Sequence, residues 1–216
     1  MLKIGVLASG RGSNFQSIIN AVNSGSLKIE IAVLITDNAS AFCIERAKNH
    51  GIPHIIINPR EYRSREAFFS EIADILKKRS VGLVVLAGFM RIVGKPLIDA
   101  FPHRIMNIHP ALLPSFPGLS GQMQALNYQV RISGCTVHFV DEGVDTGPII
   151  IQAAVPVLQD DTEETLSERI LSLEHQIYPE AIRLFSEDKI TVEGRRVTIK
   201  GYAAQDAFFT NPPIQT

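Results

Sequence analysis

Short apolar runs without polar alternation are the feature that most limits what this chain can fold into. Four such runs lie in its first half, at residues 3–8, 30–36, 54–58 and 81–86. A strand covered on both faces needs apolar side chains at consecutive positions, so these runs indicate a parallel sheet. Between them, apolar residues recur with helical period, as at Phe15, Ile18, Ile19 and Val22. This alternation predicts βαβ units and a doubly wound, mostly parallel α/β sheet.

The second half of the chain adds a different set of elements. We predict a strand over residues 104–109, a loop rich in proline and glycine, a short helix over 123–127, and strands over 135–140 and 149–155. A long helix should follow the capping pattern Asp161-x-x-Glu164, and Pro179 should kink or shorten it. Residues 189–192 and 196–199 are predicted to form a terminal hairpin. The tail after Gly201 is expected to be loosely ordered.

Length and composition limit the class of protein. The 216 residues suffice for one domain, and no repeat or linker divides them. A formal net charge of −1 argues against a broad nucleic-acid surface. Cys43 and Cys135 lack metal-site spacing, and no apolar run reaches the ~20 residues of a membrane span. With no signal-peptide pattern at the start, we expect a cytoplasmic protein with two buried free thiols.

Residues 9–14, Ser-Gly-Arg-Gly-Ser-Asn, join the first predicted strand directly to the first predicted helix. Glycines let backbone N–H groups approach an anion, and a helix start adds unpaired donors and partial positive charge. A Walker loop needs Gly-Lys-Ser/Thr, and a dinucleotide fingerprint needs glycine where Phe15 stands. The segment therefore suits one phosphate, with Ser13 and Asn14 offering side-chain hydrogen bonds. An ordinary capped glycine turn is the alternative.

Asn107 and His109 end another predicted strand. Alternation places them on one face of that strand and Ile108 on the other. Open α/β sheets bind their ligands at the carboxyl ends of the strands. An amide can donate to a developing oxyanion, and an imidazole, with an ordinary pKa of about 6.5, can exchange protons at neutral pH. A capped strand end with a hydrogen-bonded histidine is the alternative.

A glycine-rich loop over residues 140–148 carries three carboxylates, those of Asp141, Glu142 and Asp145. Most acids in such loops are solvated or form turns. Asp145, which precedes Thr-Gly-Pro, can instead be fixed toward the site, where it would hold or deprotonate a histidinium. The residues alone leave both interpretations open.

Together these features resemble the folate-dependent phosphoribosylglycinamide formyltransferases of purine biosynthesis. The resemblance covers residue 3 to about residue 202. It is carried by Gly10-x-Gly12-Ser13-Asn14, by Ala-Gly-Phe-Met-Arg-Ile at 87–92, by Asn107-Ile-His109-Pro-x-Leu-Leu-Pro, by Gly134-x-Thr-Val-His138 with Val144-Asp145-x-Gly147, and by Glu174-His175-x-Ile-Tyr-Pro. It implies a Rossmann-like fold in a single domain, 1–216. A phosphate-binding half (about 1–100) would precede a folate and catalytic half (about 101–200) and a loose tail (201–216).

The resemblance also implies roles at the matching positions. Gly12, Ser13 and Asn14 would hold the substrate phosphate, and Glu174 would recognise the glycinamide end. The folate site would be lined by Arg65, Met90, Arg91, Ile92, Val93 and Asn107, with backbone groups of 90–93 reading the pterin. Asn107 would polarise the formyl oxygen, while His109 and Asp145 would manage charge and protons.

The implied reaction moves a formyl group from 10-formyltetrahydrofolate to an amine directly, without a metal or a covalent enzyme intermediate. Small molecules would be the only ligands, with no nucleic acid and no membrane, and the chain would be a monomer or a homodimer. Methionyl-tRNA formyltransferase, formyltetrahydrofolate hydrolase, a non-catalytic nucleotide-binding module and a nicotinamide enzyme are the competing interpretations. We expect His138 and His175 to be packed structural residues.

Overall fold

A seven-stranded sheet organises the molecule in the order β3-β2-β1-β4-β5-β6-β7. The computed structural model describes residues 1–202 and 209–212. The strands of the sheet are β1 (Lys3–Leu7), β2 (Glu30–Thr36), β3 (His54–Ile56), β4 (Leu83–Leu86), β5 (Ile105–His109), β6 (Ile132–Phe139) and β7 (Ile149–Pro156). The helices are α1 (Ser13–Asn23), α2 (Cys43–Asn49), α3 (Arg65–Lys78), α4 (Lys95–Ala100), α5 (Gly121–Tyr128) and α6 (Glu163–Ser186), with a 3-10 turn at Pro59–Glu61.

The strand directions confirm the predicted mostly parallel, doubly wound sheet. β1 pairs in parallel with both β2 and β4, and the parallel region continues to β3 on one side and β5 on the other. β6 and β7 extend the sheet as an antiparallel edge. The chain leaves β1 toward β2 and later returns to place β4 on the other side of β1. Open α/β sheets bind ligands at such a switch point, beyond the carboxyl ends of the strands.

Two apolar clusters, one on each face of the sheet, explain the continuous apolar strands. On one face Ile4 and Val6 pack in a cluster with α1 and α6 residues such as Phe15. On the other face Leu7 and Val33 pack in a cluster that includes α3 residues such as Phe69. Fully burying one such side chain is worth roughly 1.5–3 kcal/mol, so the central strands β1, β2 and β4 gain stability from both faces.

Helix α6 can be compared with its predicted form at two points, the N-cap and Pro179. Its N-cap is Thr162, whose side chain accepts from Thr165 N, while Thr165 Oγ1 accepts from Thr162 N. The predicted Asp161-x-x-Glu164 pattern was therefore wrong by one position. Pro179 lies inside the helix, which continues to Ser186, so Pro179 does not shorten it.

Tyr178 of α6 ties this helix to the centre of the sheet. Its buried hydroxyl lies 2.9 Å from Leu86 O and 3.0 Å from Met106 O, and it donates to these two acceptors. Leu86 ends β4, and Met106 directly precedes Asn107. The helix thus anchors two strands just before they reach the predicted site.

The predicted hairpin is present as β8 (Ile190–Glu193) and β9 (Arg196–Ile199), which pair antiparallel. The loosely ordered tail was predicted for residues that fall largely outside the described part, at 203–208 and 213–216. Asn211 is described, and its side-chain amide donates to Arg131 O at 2.6 Å and Val157 O at 3.1 Å. Within the described ranges, no helix combines the length and apolar character that crossing a membrane requires.

Candidate active site

Three loops meet at the carboxyl edge of the sheet, following β1, β4 and β5. Backbone contacts join the first two, because Ser9 N donates to Gly88 O at 3.0 Å. The hydroxyl of Ser9 also accepts from Met90 N at 3.0 Å. β5 lies beside β4, with Asn107 in register with Leu86. The predicted phosphate, folate and catalytic segments therefore share one edge.

The turn after β1 is built around Gly12, which caps α1 in the left-handed region at φ 68°. A Cβ at this position would lie 2.7 Å from Cys43 Cβ, so both conformation and space require glycine. Ser13 begins α1, and the first backbone N–H groups of that helix have no intrahelical partner. The turn therefore presents donors suited to an anion, and phosphate binding at Gly12, Ser13 and Asn14 stays a prediction.

The side chain of Asn14 does not face the predicted phosphate position in the way that we expected. It is buried, and its Nδ2 donates to Glu174 Oε2 at 2.7 Å. Its Oδ1 is buried and has no hydrogen-bond partner among the described residues. Asn14 therefore offers an anion its backbone N–H, while its side chain holds Glu174 beside the turn.

Glu174 is a buried carboxyl group near the phosphate turn. Burial raises its pKa, and the hydrogen bond from Asn14 opposes that shift only in part. The structure thus brings Glu174 to the predicted phosphate residues. It shows no hydrogen bond or ion pair, among the described residues, between Glu174 and Asn107, His109 or Asp145.

Asn107, His109 and Asp145 converge, although Asp145 follows the two strand residues by more than thirty positions. His109 Nδ1 lies 3.2 Å from Asp145 Oδ2, and Asn107 Nδ2 donates to Asp145 Oδ1 at 3.4 Å. Asp145 adopts φ 54° and accepts a further bond from Gly118 N at 2.8 Å. The loop geometry fixes this carboxylate toward the strand end, which is the arrangement that the sequence left open.

Both ring nitrogens of His109 have partners. Nε2 lies 2.8 Å from Phe116 O, and since a carbonyl oxygen only accepts, Nε2 carries a hydrogen. Nδ1 faces the Asp145 carboxylate, which favours a second hydrogen there. Burial lowers the pKa of His109 from its ordinary value of 6.5, and this outweighs the opposing effects of Asp145 and Phe116 O. A charged His109 therefore gives up a proton readily, as acid–base chemistry near neutrality requires.

Asp145 is the ionised partner in this cluster. Burial acts to raise its pKa, but the nearby His138 imidazole, the bond from Gly118 N and the adjacent His109 together outweigh burial and lower it. The site thus holds a carboxylate that stays charged beside an imidazole that exchanges its proton.

His138 is the site residue that sequence reasoning missed. Its Nδ1 lies 2.8 Å from Phe139 O and so carries the hydrogen, which leaves Nε2 free to accept from Asn107 Nδ2 at 3.2 Å. Nε2 also lies 3.6 Å from Asp145 Oδ1. His138 is packed and hydrogen-bonded, as predicted, but it also orients the Asn107 amide. In the sequence, the only signal for this role was a histidine within the apolar run that forms β6, the strand beside β5.

A cavity of about 590 Å³ adjoins the segment after β4. Aromatic, apolar and cationic side chains line it: Pro59, Tyr62, Ser64, Arg65, Phe68, Phe69, Met90, Arg91 and Ile92. Met90 and Ile92 are 67% and 57% exposed, so together they add apolar surface to this cavity that a bound ligand can cover. The cavity therefore suits an extended aromatic ligand that carries negative charge.

Contacts within the molecule hold two cations at this cavity. Arg65 Nη2 donates to Ile92 O at 2.8 Å and to Val93 O at 3.1 Å. Arg91 pairs with Asp37 and lies over the Phe68 ring. The predicted folate residues are thus brought together, but Arg65 occupies two of the backbone carbonyl groups that we expected to read a pterin.

The remaining candidate groups give no sign of further chemistry. Burial raises the pKa of Cys43, and it raises that of Cys135 to about 12, so both are inert thiols rather than nucleophiles. Residues 1–202 and 209–212 contain no cluster of three or more His, Cys, Asp or Glu side chains arranged to hold a metal ion. A metal-free reaction stays a prediction.

Comparison with known proteins gives this geometry a family. Residues 2–182 match the formyl transferase family. Phosphoribosylglycinamide formyltransferase of Bacillus subtilis is 43% identical over 183 residues, covering 85% of this chain and 94% of that protein. The crystal structure of glycinamide ribonucleotide transformylase 1 from Symbiobacterium toebii superposes with a TM-score of 0.91 at 54% identity, over 92% of this chain and 94% of that one.

The trifunctional purine biosynthetic protein adenosine-3 of Drosophila pseudoobscura pseudoobscura is 44% identical over 94% of this chain, which spans only 15% of that much longer protein. The fold and the site together define a formyl transferase, and the chain is a member of that family. Within the family it belongs to the phosphoribosylglycinamide formyltransferases.

Proposed function

We propose that this chain transfers the formyl group of 10-formyltetrahydrofolate to the amine of 5-phosphoribosylglycinamide, a step of purine biosynthesis. The observation that carries the proposal is the convergence of Asn107, His109 and Asp145 at the edge that also presents the glycine turn. An amide donor, a proton-exchanging imidazole and a carboxylate around one point suit acyl transfer to an amine. The phosphate turn and the folate-sized cavity supply places for the two substrates.

The amine substrate would bind through its phosphate at the start of α1. Gly12, Ser13 and Asn14 would contribute backbone N–H groups, and Ser13 its hydroxyl as well. Glu174, held by Asn14 at 2.7 Å, would contact the substrate next to that phosphate and direct the glycinamide amine toward Asn107.

The formyl donor would occupy the cavity of about 590 Å³. A reduced folate combines a pterin, an aminobenzoyl ring and glutamate carboxylates, which match the aromatic walls and the cations Arg65 and Arg91. Met90, Ile92 and Val93 would lie along the ring system, and Asn107 would face the formyl group. The residues present therefore fit this co-substrate.

In the reaction, the amine lone pair attacks the formyl carbon, and the carbonyl π electrons move to the oxygen. Asn107 Nδ2 and His109 Nε2 would donate to this oxyanion, each such donor being worth roughly 3 kcal/mol in the barrier. For His109 this requires the substrate oxygen to replace Phe116 O, its partner at 2.8 Å, and for Asn107 it requires that oxygen to replace Asp145 Oδ1, the longer of its two contacts at 3.4 Å. The amine proton would pass to the Asp145 carboxylate, directly or through water, while His109 keeps the positive charge. As the oxyanion re-forms the carbonyl group, the bond to folate N10 breaks and N10 takes that proton.

Ultraviolet difference spectroscopy tests the proposal. Protein, formyl folate and phosphoribosylglycinamide should produce the tetrahydrofolate spectrum only when all three are mixed. Release of formate without the amine would support the hydrolase interpretation, and a signal only with a nicotinamide would support a dehydrogenase. Either result, or no turnover, would contradict the proposal.

The proposal also covers the cellular compartment and the classes of ligand. We propose that the enzyme works in the cytoplasm on small molecules alone, without a metal, nucleic acid or membrane. Sedimentation would decide between a monomer and a homodimer, and assay after chelation would test the metal-free reaction.

A further inference from the structure

A polar cavity of about 330 Å³ opens on the outer side of the glycine turn. Every residue that lines it is polar, and none is acidic: Ser13, Gln16, Ser17, Asn20, Arg46 and His175. Ser13 belongs both to this cavity and to the turn that begins α1. The cavity is therefore continuous with the proposed phosphate position.

Arg46 is fixed against the turn by neutral partners. Its Nε donates to Arg11 O at 2.8 Å, and its Nη1 donates to Gln16 Oε1 at 2.9 Å. The guanidinium lies over the Phe42 ring, 5.0 Å from its centroid. The position of α2 is fixed as well, since Cys43 N donates to Gly10 O at 3.1 Å. The cation is therefore preorganised before any ligand arrives.

The charge of Arg46 is not neutralised. The adjacent acid, Glu45, pairs with Lys48 at 2.8 Å instead. Across the described ranges no carboxylate lies within ion-pair distance of Arg46, and its Nη2 has no acceptor. His175 also lines the cavity; burial, with a smaller effect of the Arg46 charge, lowers its pKa, and its Nε2 is buried without a partner. The cavity thus holds a guanidinium that lacks an anion.

We propose that Arg46 is a specificity residue for the phosphate of the amine substrate, supplying the full positive charge that the backbone donors of the turn lack. This inference rests on the proposed function and names a residue that the catalytic chemistry does not use. A guanidinium that keeps one free donor edge can bind a phosphate oxygen while Nε and Nη1 keep their structural bonds.

The test measures steady-state kinetics of Arg46→Gln with two amine substrates, phosphoribosylglycinamide and the ribosylglycinamide that lacks the phosphate. We expect KM for the phosphorylated substrate to rise about 10- to 100-fold, with kcat at saturation changing less than about twofold. KM for the unphosphorylated substrate should stay within about twofold. Arg46→Lys should recover part of the affinity, because it restores the charge without the fork.

Lys48→Gln is the matched control, since it removes one positive charge from an exposed side chain of the same helix, α2, that does not line the cavity. Its KM should change less than about threefold. An Arg46→Gln enzyme whose KM rises equally for both substrates would show a structural role only, and an unchanged KM would show no role. Both results overturn the inference while wild-type turnover still upholds the proposed function.

Discussion

Asp145 is the residue on which the site depends most directly. It contacts His109, Asn107, His138 and Gly118 N, and so joins β5, β6 and the loop that follows Pro114. The positive φ that aims it inward is a conformation that aspartate and asparagine adopt more readily than most residues. Asparagine can therefore take its place without remaking the loop.

We expect Asp145→Asn to lower kcat at least about 100-fold, because the variant removes the charge that stabilises a protonated His109. Asn107→Ala should lower kcat by a similar factor through loss of an oxyanion donor. Single-turnover kinetics would measure the loss, and circular dichroism would check the fold.

Asp141→Asn is the control, since Asp141 lies in the same loop and, among residues 1–202 and 209–212, its side chain accepts only from Gly143 N and the Thr146 hydroxyl. Its kcat should change less than about threefold. Near-normal turnover of Asp145→Asn would refute the assigned role.

The raised pKa of Glu174 predicts how the stability of the fold changes with pH. Its folded-state pKa is raised above 4.5 by burial, so the folded chain binds more protons than the unfolded chain above that pH. Stability therefore falls as pH rises from 4.5 through the raised pKa. Glu174→Gln, which still accepts from Asn14, should be more stable than wild type at pH 7, with the difference shrinking toward pH 4.5. Urea unfolding across this range measures it.

The same variant should bind the amine substrate more weakly, which would make Glu174 a residue retained for function at the expense of stability. Glu168→Gln, an exposed change on the same helix, should leave both quantities unchanged. A stability difference for Glu174→Gln that does not vary with pH would contradict the assignment of a raised pKa.

The start of helix α6 is stabilised by Asp161 as well as by its N-cap residue, Thr162. Asp161, whose side chain is 2% exposed, pairs with Arg169 Nη1 and Nη2 at 2.7 and 2.8 Å. It also accepts from Leu158 N at 2.7 Å and from the Thr165 hydroxyl at 2.8 Å. Asp161 therefore links Arg169 of the helix to Leu158 N of the preceding loop. The pKa of Asp161 is lowered strongly, chiefly by the hydrogen bond from Arg169.

Asp161→Ala should cost about 2–4 kcal/mol in the free energy of unfolding, since it leaves Arg169 without its partner and frees a backbone donor. Thr162→Ala should cost only about 1 kcal/mol, the usual value of an N-cap. Chemical denaturation would compare both with Asp160→Ala, an exposed neighbour expected to change stability by less than about 0.5 kcal/mol. Equal losses for the Asp161 and Thr162 variants would contradict this order.

At the scale of the whole molecule, Tyr178 joins the C-terminal helix to β4 of the N-terminal half and to its neighbour β5. Its hydroxyl donates to Leu86 O and Met106 O, on neighbouring strands β4 and β5. Helix α6 also packs on α1, β6 and β7. These contacts lead us to expect the two halves to unfold as one domain.

Tyr178→Phe should lower stability by about 1–3 kcal/mol, because two buried carbonyl groups lose a donor. Far- and near-ultraviolet circular dichroism should show one coincident transition, shifted as a whole. Tyr202→Phe, a change of an exposed tyrosine, is the control. Two separate transitions would contradict the single-domain prediction.

The sequence by itself determined the sheet and the nature of its ligand edge. Consecutive apolar residues in β1, β2 and β4 are buried on both faces of the sheet. Each strand shows this burial by the apolar run in its own sequence. The same is true of Gly12 as the cap of α1, where the left-handed backbone favours glycine. Local patterns of this kind depend on neighbours in the chain and can be interpreted without a structure.

Only the tertiary structure decided which distant side chains meet. Asn14 turns to Glu174, His138 orients Asn107, and Arg46 reaches the glycine turn. Each contact depends on the strand order or on how α2 and α6 pack, and the polar residue types alone suit several partners equally. A hydrogen bond forms over a few ångströms and in a set direction, so its partner is settled by the assembled fold rather than by spacing along the chain.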